Sequence, residues 1–132
     1  QLMTRLNLGQ VPCRTGRAVE GLEEFRHAAR VAPDSALPYL FVIAEHARAG
    51  NWQLVAANIE PFKRRAHEDA IAVLIEAVTW QRLGQKASAE AALARYRRMA
   101  GRHPSDPAGE LSRLLDEQIM RCQKSLGNFS AI

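Results

Sequence analysis

Three glycines divide this 132-residue chain at equal intervals. Gly16, Gly50 and Gly84 are 34 residues apart, and the last two each stand between stretches of helix-forming sequence. A fixed spacing of about 20 to 50 residues is typical of repeat proteins, in which each unit packs against the next. The spacing therefore predicts a stack of similar units.

The composition favours helices between these glycines. Ala, Leu, Arg and Glu are abundant, whereas β-branched and aromatic residues never alternate with a period of two. Apolar residues recur on one helical face after each glycine, as Phe25, Ile59 and Leu93 and as Ala28, Phe62 and Tyr96. Helices are expected near 17–31, 36–49, 52–66, 68–83, 86–101 and 107–125.

The repeat resembles the tetratricopeptide repeat (TPR), a unit of two antiparallel helices with a small residue at the turn. The matching positions are Gly16, Phe25, Ala28 and Pro33, then Tyr39, Gly50, Trp52 and Phe62, then Trp80, Leu83, Gly84, Ala89 and Leu93. The resemblance covers roughly residues 16 to 104. It implies one all-α domain over 1–132, a right-handed solenoid of antiparallel helix pairs with repeats at about 2–35, 36–69 and 70–104.

Several positions depart from the TPR pattern. Gly9 and Pro12 interrupt the first helix of the first repeat, which is therefore expected to be degenerate. A second copy of the chain, or a partner, could complete it. Pro61 lies within the second helix of the second repeat and predicts a kink or a break there. His67 stands where the family usually has proline.

A final amphipathic helix at about 107–125 is expected to cap the stack, because the last repeat would otherwise leave its apolar face in water. Its apolar stripe is Leu111, Leu114, Leu115, Ile119, Cys122 and Leu126. This places Cys122 in the core. Because Cys13 and Cys122 are far apart in sequence and match no metal or disulfide framework, we expect reduced thiols and a cytoplasmic protein.

The TPR resemblance also implies where a partner binds, since the first helix of each pair faces the concave side. The positions it assigns are Leu37, Leu40, Ala44, Ala47 and Arg48, and then Ile71, Leu74, Val78, Gln81 and Arg82. Such a groove suits an amphipathic helix or an extended apolar segment, with Arg48 and Arg82 reaching acidic groups beside it. The carboxylate clamp of some family members is not expected, because aliphatic residues hold its positions.

An alternative explanation is that these aliphatic residues only pack against the neighbouring repeat or the capping helix. The predicted function is a protein-protein interaction module, such as an adaptor, assembly factor or chaperone-like protein, with a protein or peptide partner. A second hypothesis is a repeat domain of a larger enzyme or transcription regulator, used for recruitment or self-association. It stays open because residue 1 is Gln rather than Met.

A third hypothesis is a basic scaffold that contacts nucleic acid. The net charge is +4, and basic residues cluster as Lys63, Arg64 and Arg65 and as Arg95, Arg97, Arg98 and Arg102. Favourable placement of cations near helix C-termini, on a solvated face, explains both clusters. Only Tyr96 lies near these arginines as a ring on which a base could stack. A nucleic-acid partner is therefore not expected.

The sequence contains no pattern that predicts catalysis or cofactor binding. His27, His46, His67 and His103 are too widely spaced to form a metal pair on one helix, and no phosphate loop or nucleophile elbow is present. We expect neither an enzyme nor a cofactor or metal. No apolar stretch is long enough for a membrane span, so no membrane partner is expected.

Overall fold

The computed structural model describes the backbone of residues 18–67 and 69–130 and the side chains of residues 23–67 and 69–121. The described part of the chain is all-α and contains no strand. Its helices are α1 (Ala18–Val31), α2 (Leu37–Arg48), α3 (Trp52–Ala66), α4 (Ala70–Arg82), α5 (Lys86–Ala100) and α6 (Pro107–Ser130). Five of the six begin and end within two residues of the predicted bounds, and α6 continues five residues further.

The turns after α2 and α4 have the same backbone geometry. Gly50 and Gly84 have φ angles of 77° and 80°, a region that glycine enters without steric cost. The amides that follow them, of Asn51 and Gln85, donate to the carbonyls of His46 and Trp80 over 2.9 and 2.8 Å. This pattern closes a helix C-terminus, so the predicted role of the two glycines is confirmed. Gly16, Gly9, Pro12 and Cys13 lie outside the described residues.

Short polar side chains begin two of the helices. Asp69 Oδ1 accepts a hydrogen bond of 2.9 Å from the amide of Ile71 at the start of α4. Asp106 Oδ1 accepts one of 3.2 Å from the amide of Gly109 at the start of α6. Both satisfy amides that have no partner within their own helix.

The connection from α3 to α4 contains an unusual backbone. His67 has φ 57° and ψ −149°, a combination that glycine adopts far more readily than other residues. Its amide donates to the carbonyl of Lys63 over 3.1 Å, and its carbonyl accepts from the amide of Asp69 over 2.8 Å. The turn thus directs the chain from α3 into α4.

The predicted break at Pro61 does not occur, since α3 is continuous from Trp52 to Ala66. The proline removes the hydrogen bond that would end on the carbonyl of Ala57, and Ala57 lies on the exposed side of the helix, where water can bind that carbonyl. On the other side Ile59 and Phe62 are 4% and 3% exposed. Their packing holds the helix together across the proline.

The core follows the apolar positions that recur after each glycine. Phe25, Val55, Ile59, Phe62 and Tyr96 are all less than 5% exposed. Successive helices pack against each other from α1 to α5, and the rings of Phe25 and Phe41 stack with centroids 5.5 Å apart between α1 and α2. No helix among the described residues has the length and apolar character to cross a membrane.

Candidate functional site

The residues predicted to bind a partner lie on α2 and α4. We call the surface that they form the inner face: Leu37, Leu40, Ala44, Arg48, Ile71, Leu74, Val78, Gln81 and Arg82. Its aliphatic members are in the core, with Leu74 and Val78 fully buried and Leu40 only 6% exposed. Leu37 is half-buried, whereas Arg48, Gln81 and Arg82 are exposed.

The helix that covers the inner face is α6. It packs against α4 and, less extensively, against α2. Its buried stripe is Leu111, Leu115 and Ile119, which are 2%, 3% and 1% exposed and lie on one side of the helix. Met120, on the opposite side, is 60% exposed. The predicted amphipathic helix is therefore present, and Cys122 and Leu126 fall outside the described side chains.

A cluster of polar contacts holds the first turns of α6 to α5. The Tyr96 hydroxyl donates to Glu110 Oε2 over 2.5 Å. The same carboxylate lies 3.3 Å from Arg102 Nε and 3.5 Å from Arg113 Nη2. Burial raises the pKa of Tyr96, and the hydrogen bond to Glu110 raises it further. The hydroxyl therefore stays protonated and donates at any ordinary pH.

A cleft of about 340 Å³ remains open where α6 crosses the C-terminal ends of α2 and α4. We call it the arginine cleft: Ala44, Ala47, Arg48, Trp52, Arg82, Ala108, Leu111, Ser112, Leu115 and Asp116. Arg48 pairs with Glu45 at 2.9 Å, and the guanidinium of Arg82 lies 5.9 Å from the centre of the Trp52 ring. The structure thus brings together the two arginines of the predicted site, and adds Trp52 and Asp116.

A smaller cavity of about 160 Å³ lies at the other end of the inner face. Leu37, Leu40 and Ile71 line it together with Gln118 of α6. Gln118 interrupts the apolar stripe of α6 in the sequence, and here it lies at the edge of the contact. Among the described residues, the inner face therefore meets α6 between these two openings.

Three of the seven residues in the predicted basic clusters make polar contacts within the described part of the chain. Lys63 Nζ lies 2.9 Å from Glu76, and Arg102 Nε lies 3.3 Å from Glu110. Arg65 donates to the carbonyls of Pro33 and Pro61 and stacks over the Tyr39 ring at 4.5 Å. These cations stabilise helix ends and turns instead of forming a continuous basic surface.

One buried histidine lies outside these contacts. His46 is 5% exposed, and burial followed by the charge of Arg26 lowers its pKa. Among the described residues, no group of three or more His, Cys, Asp or Glu side chains is placed to hold a metal ion.

The sequence left two explanations open for the aliphatic residues of the inner face, and the structure has them buried with the capping helix α6 packed on α2 and α4, as the alternative explanation expects. The stripe of leucines predicts that one side of α6 is buried, but it does not by itself specify the helices that cover it. Comparison with protein families, with curated proteins and with solved structures found no match, so the proposals below rest on this geometry alone.

Proposed function

We propose that this chain is a protein-protein interaction module that binds an amphipathic helix of a partner on its inner face. The proposal includes a TPR-like, right-handed solenoid of helix pairs. The 34-residue repeat supports that architecture, because Gly50 and Gly84 adopt the same φ region and α3 and α5 begin 34 residues apart, at Trp52 and Lys86.

One observation carries the proposal: a helix of the chain itself already occupies the inner face. Leu111, Leu115 and Ile119 pack there at successive intervals of four residues. Helix-in-groove recognition uses anchors at this spacing. A partner helix with the same spacing therefore fits the same surface, in place of α6.

Competition with α6 changes which residues a partner reaches. While α6 is docked, Leu74 and Val78 have no exposed surface. The arginine cleft stays accessible, so Arg48 and Arg82 are the residues of the inner face that a partner meets first. A carboxylate beside the apolar stripe of the partner, as Asp116 lies beside Leu115, would pair with either guanidinium.

The experiment tests whether a partner helix binds the inner face or another part of the surface. Leu115→Glu places a charge in the contact between α6 and the inner face, and Met120→Glu adds the same charge on the exposed side of the same helix. A fluorescent peptide with the sequence of residues 107–130 is then titrated into each full-length variant. Circular dichroism verifies that both variants remain helical.

We expect the peptide to bind Leu115→Glu with an affinity on the order of 10–100 µM, because three buried aliphatic side chains offset the cost of association. Wild type and Met120→Glu should not bind it detectably, since their own α6 fills the site. Equal binding to all three proteins, or none to a folded Leu115→Glu, would contradict the proposal.

A module of this kind serves equally as a free-standing cytoplasmic adaptor or as part of a larger enzyme or regulator. The two differ in the reading frame that surrounds this sequence, not in the surface proposed. The scaffold for nucleic acid receives less support, because Lys63, Arg65 and Arg102 are engaged within the chain.

A further inference from the structure

A third cavity lies where the ends of α3 and α5 meet the start of α4, and it shares no residue with the inner face. Its volume is about 560 Å³, within the range of about 300–1,000 Å³ that is usual for ligand sites. Lys63 of α3 and Arg95 and Arg98 of α5 line it. We call it the basic cavity.

The charge in the basic cavity is not balanced by the described residues around it. Lys63 pairs with Glu76 at 2.9 Å, but Arg95 and Arg98 have no ion-pair partner in the part of the chain that the structure describes. Asp69 is the one carboxylate of the described lining. The two arginines are exposed and one helical turn apart, so they can act on the same anion.

The floor of the basic cavity is apolar. Ala72 and Val73 are 2% and 3% exposed, and they belong to the first turn of α4. Met99 leaves 42% of its surface exposed beside this floor. A bare inorganic ion would leave this surface in contact with water, whereas a ligand with an apolar part would cover it.

The turn that forms one wall of the basic cavity is strained. His67 lines the cavity and has the backbone conformation with φ 57° described above. Strain of this kind costs on the order of 1–3 kcal/mol and is concentrated at functional sites, where the surrounding structure maintains it. The strained residue and the unpaired arginines thus occur at the same place.

We propose that the basic cavity binds an organic carboxylate, with the anionic group on Arg95 and Arg98 and an apolar body over Val73 and Met99. The planar guanidinium group matches the two oxygens of a carboxylate. The described lining contains no Phe, Tyr or Trp, the large rings on which the bases of a nucleic acid usually stack. The ligand is a small organic acid or an acidic residue beside an apolar one in a protein segment.

The test uses the full chain and two matched double variants. Arg95→Gln with Arg98→Gln removes the unpaired charges, while Arg64→Gln with Arg121→Gln removes two exposed charges outside the cavity. Four probes are titrated and followed by calorimetry and by the NMR signal of the Met99 methyl group. They are octanoate, an acetylated peptide of alternating Leu and Glu, inorganic phosphate and a single-stranded oligonucleotide.

Octanoate or the peptide should bind wild type and the Arg64/Arg121 variant equally, and shift the Met99 signal. Binding to the Arg95/Arg98 variant should be about tenfold weaker or more, because two charge-assisted contacts are lost. Tighter binding of octanoate identifies a small acid as the source of the carboxylate, and tighter binding of the peptide identifies a protein segment.

Other outcomes overturn the proposal. The proposal is wrong if neither octanoate nor the peptide binds. It is also wrong if the Arg64/Arg121 substitutions weaken binding as much as the Arg95/Arg98 substitutions. Phosphate binding as tight as that of octanoate would show that the apolar floor has no role. Binding of the oligonucleotide without binding of octanoate or the peptide would likewise overturn the proposal. Leu115→Glu alters the contact between α6 and the inner face, and the inner face shares no residue with the basic cavity. Failure here therefore leaves the proposed binding of a helix unaffected.

Discussion

Tyr96 Oη donates a hydrogen bond of 2.5 Å to Glu110 Oε2, which joins the C-terminal half of α5 to the first turn of α6. Tyr96 is 1% exposed, so its hydroxyl has little access to water. Glu110 is 14% exposed and also contacts Arg102 and Arg113. This bond fixes the start of the helix that covers the inner face.

Replacing Tyr96 with Phe should loosen α6. The substitution keeps the ring and removes the hydroxyl, which takes away the shorter of the two contacts of Glu110 Oε2 and leaves only the one with Arg102 Nε. The loss of this hydrogen bond costs about 1–2 kcal/mol. We expect faster hydrogen exchange in the amides of α6 than in those of α2 and α4. Tyr39→Phe is the control, because the ring of Tyr39 contacts Arg65 through its face and keeps that contact. Equal effects of both substitutions on α6 would refute this role of the hydroxyl.

The stability of the protein should fall as the pH drops below about 6.5, the ordinary pKa of histidine. Burial and the charge of Arg26 lower the pKa of His46 in the folded chain. Between the folded and unfolded pKa values the unfolded chain therefore binds more protons, and stability rises with pH. The contribution of His46 to stability is complete above its pKa in the unfolded chain. It is lost as the pH falls through its lower pKa in the folded chain.

Urea denaturation at pH 7.5 and at pH 5.5 checks this prediction. The carboxylates also titrate in acid, so the informative quantity is the difference between wild type and His46→Phe, which keeps a ring of similar size. The loss of stability on acidification should be smaller in the variant. An identical loss in both proteins would show that His46 does not contribute.

Replacing His67 with Gly should stabilise the chain by about 1 kcal/mol, because the relief of backbone strain exceeds the entropy that glycine adds to the unfolded state. His67 is the only described non-glycine residue with a positive φ. His103→Gly is the matched control, at an exposed position with no such φ, and should be neutral or slightly destabilising. Thermal and urea unfolding measure both changes. A destabilised His67→Gly would mean that the side chain makes a contribution larger than the strain.

Replacing Gly84 with Ala should destabilise by about 1 kcal/mol, and Gly84→Asn by less, since Asn tolerates the left-handed region better. A Cβ at this position meets no atom within 4 Å, so the cost arises from the φ of 80° alone. Urea denaturation of the three proteins gives the order of stability. If Asn costs more than Ala, the backbone explanation is wrong.

The helices could be predicted from the sequence because local features determine where each begins and ends. Gly50 and Gly84 end helices through their own conformational freedom, and Asp69 and Asp106 begin them with side-chain oxygens. Pro61 predicted a kink or a break in α3, and the break does not occur. A proline removes one hydrogen bond locally, but the packing of Ile59 and Phe62 on the other side of α3 decides whether the helix continues.

The site could be predicted only in part, because contacts between distant segments leave no local signal. Repeat spacing placed Arg48 and Arg82 at one end of the same face, and the structure has them in one cleft. It offered packing against the capping helix as one of two explanations for the aliphatic residues of that face, but it could not decide between them. The approach of Lys63 to Arg95 and Arg98 is likewise a product of packing between α3, α4 and α5.

The short connection before α6 sets a threshold for any competing helix. Only residues 101–106 separate α5 from α6, and a tether of this length keeps a segment at an effective concentration on the order of millimolar. A free helix with the same contacts, present at micromolar concentration, would occupy the inner face in about one molecule in a thousand. A partner helix therefore occupies the inner face only if it makes contacts that α6 lacks. A helix that makes the same contacts as α6 does not displace it at micromolar concentration.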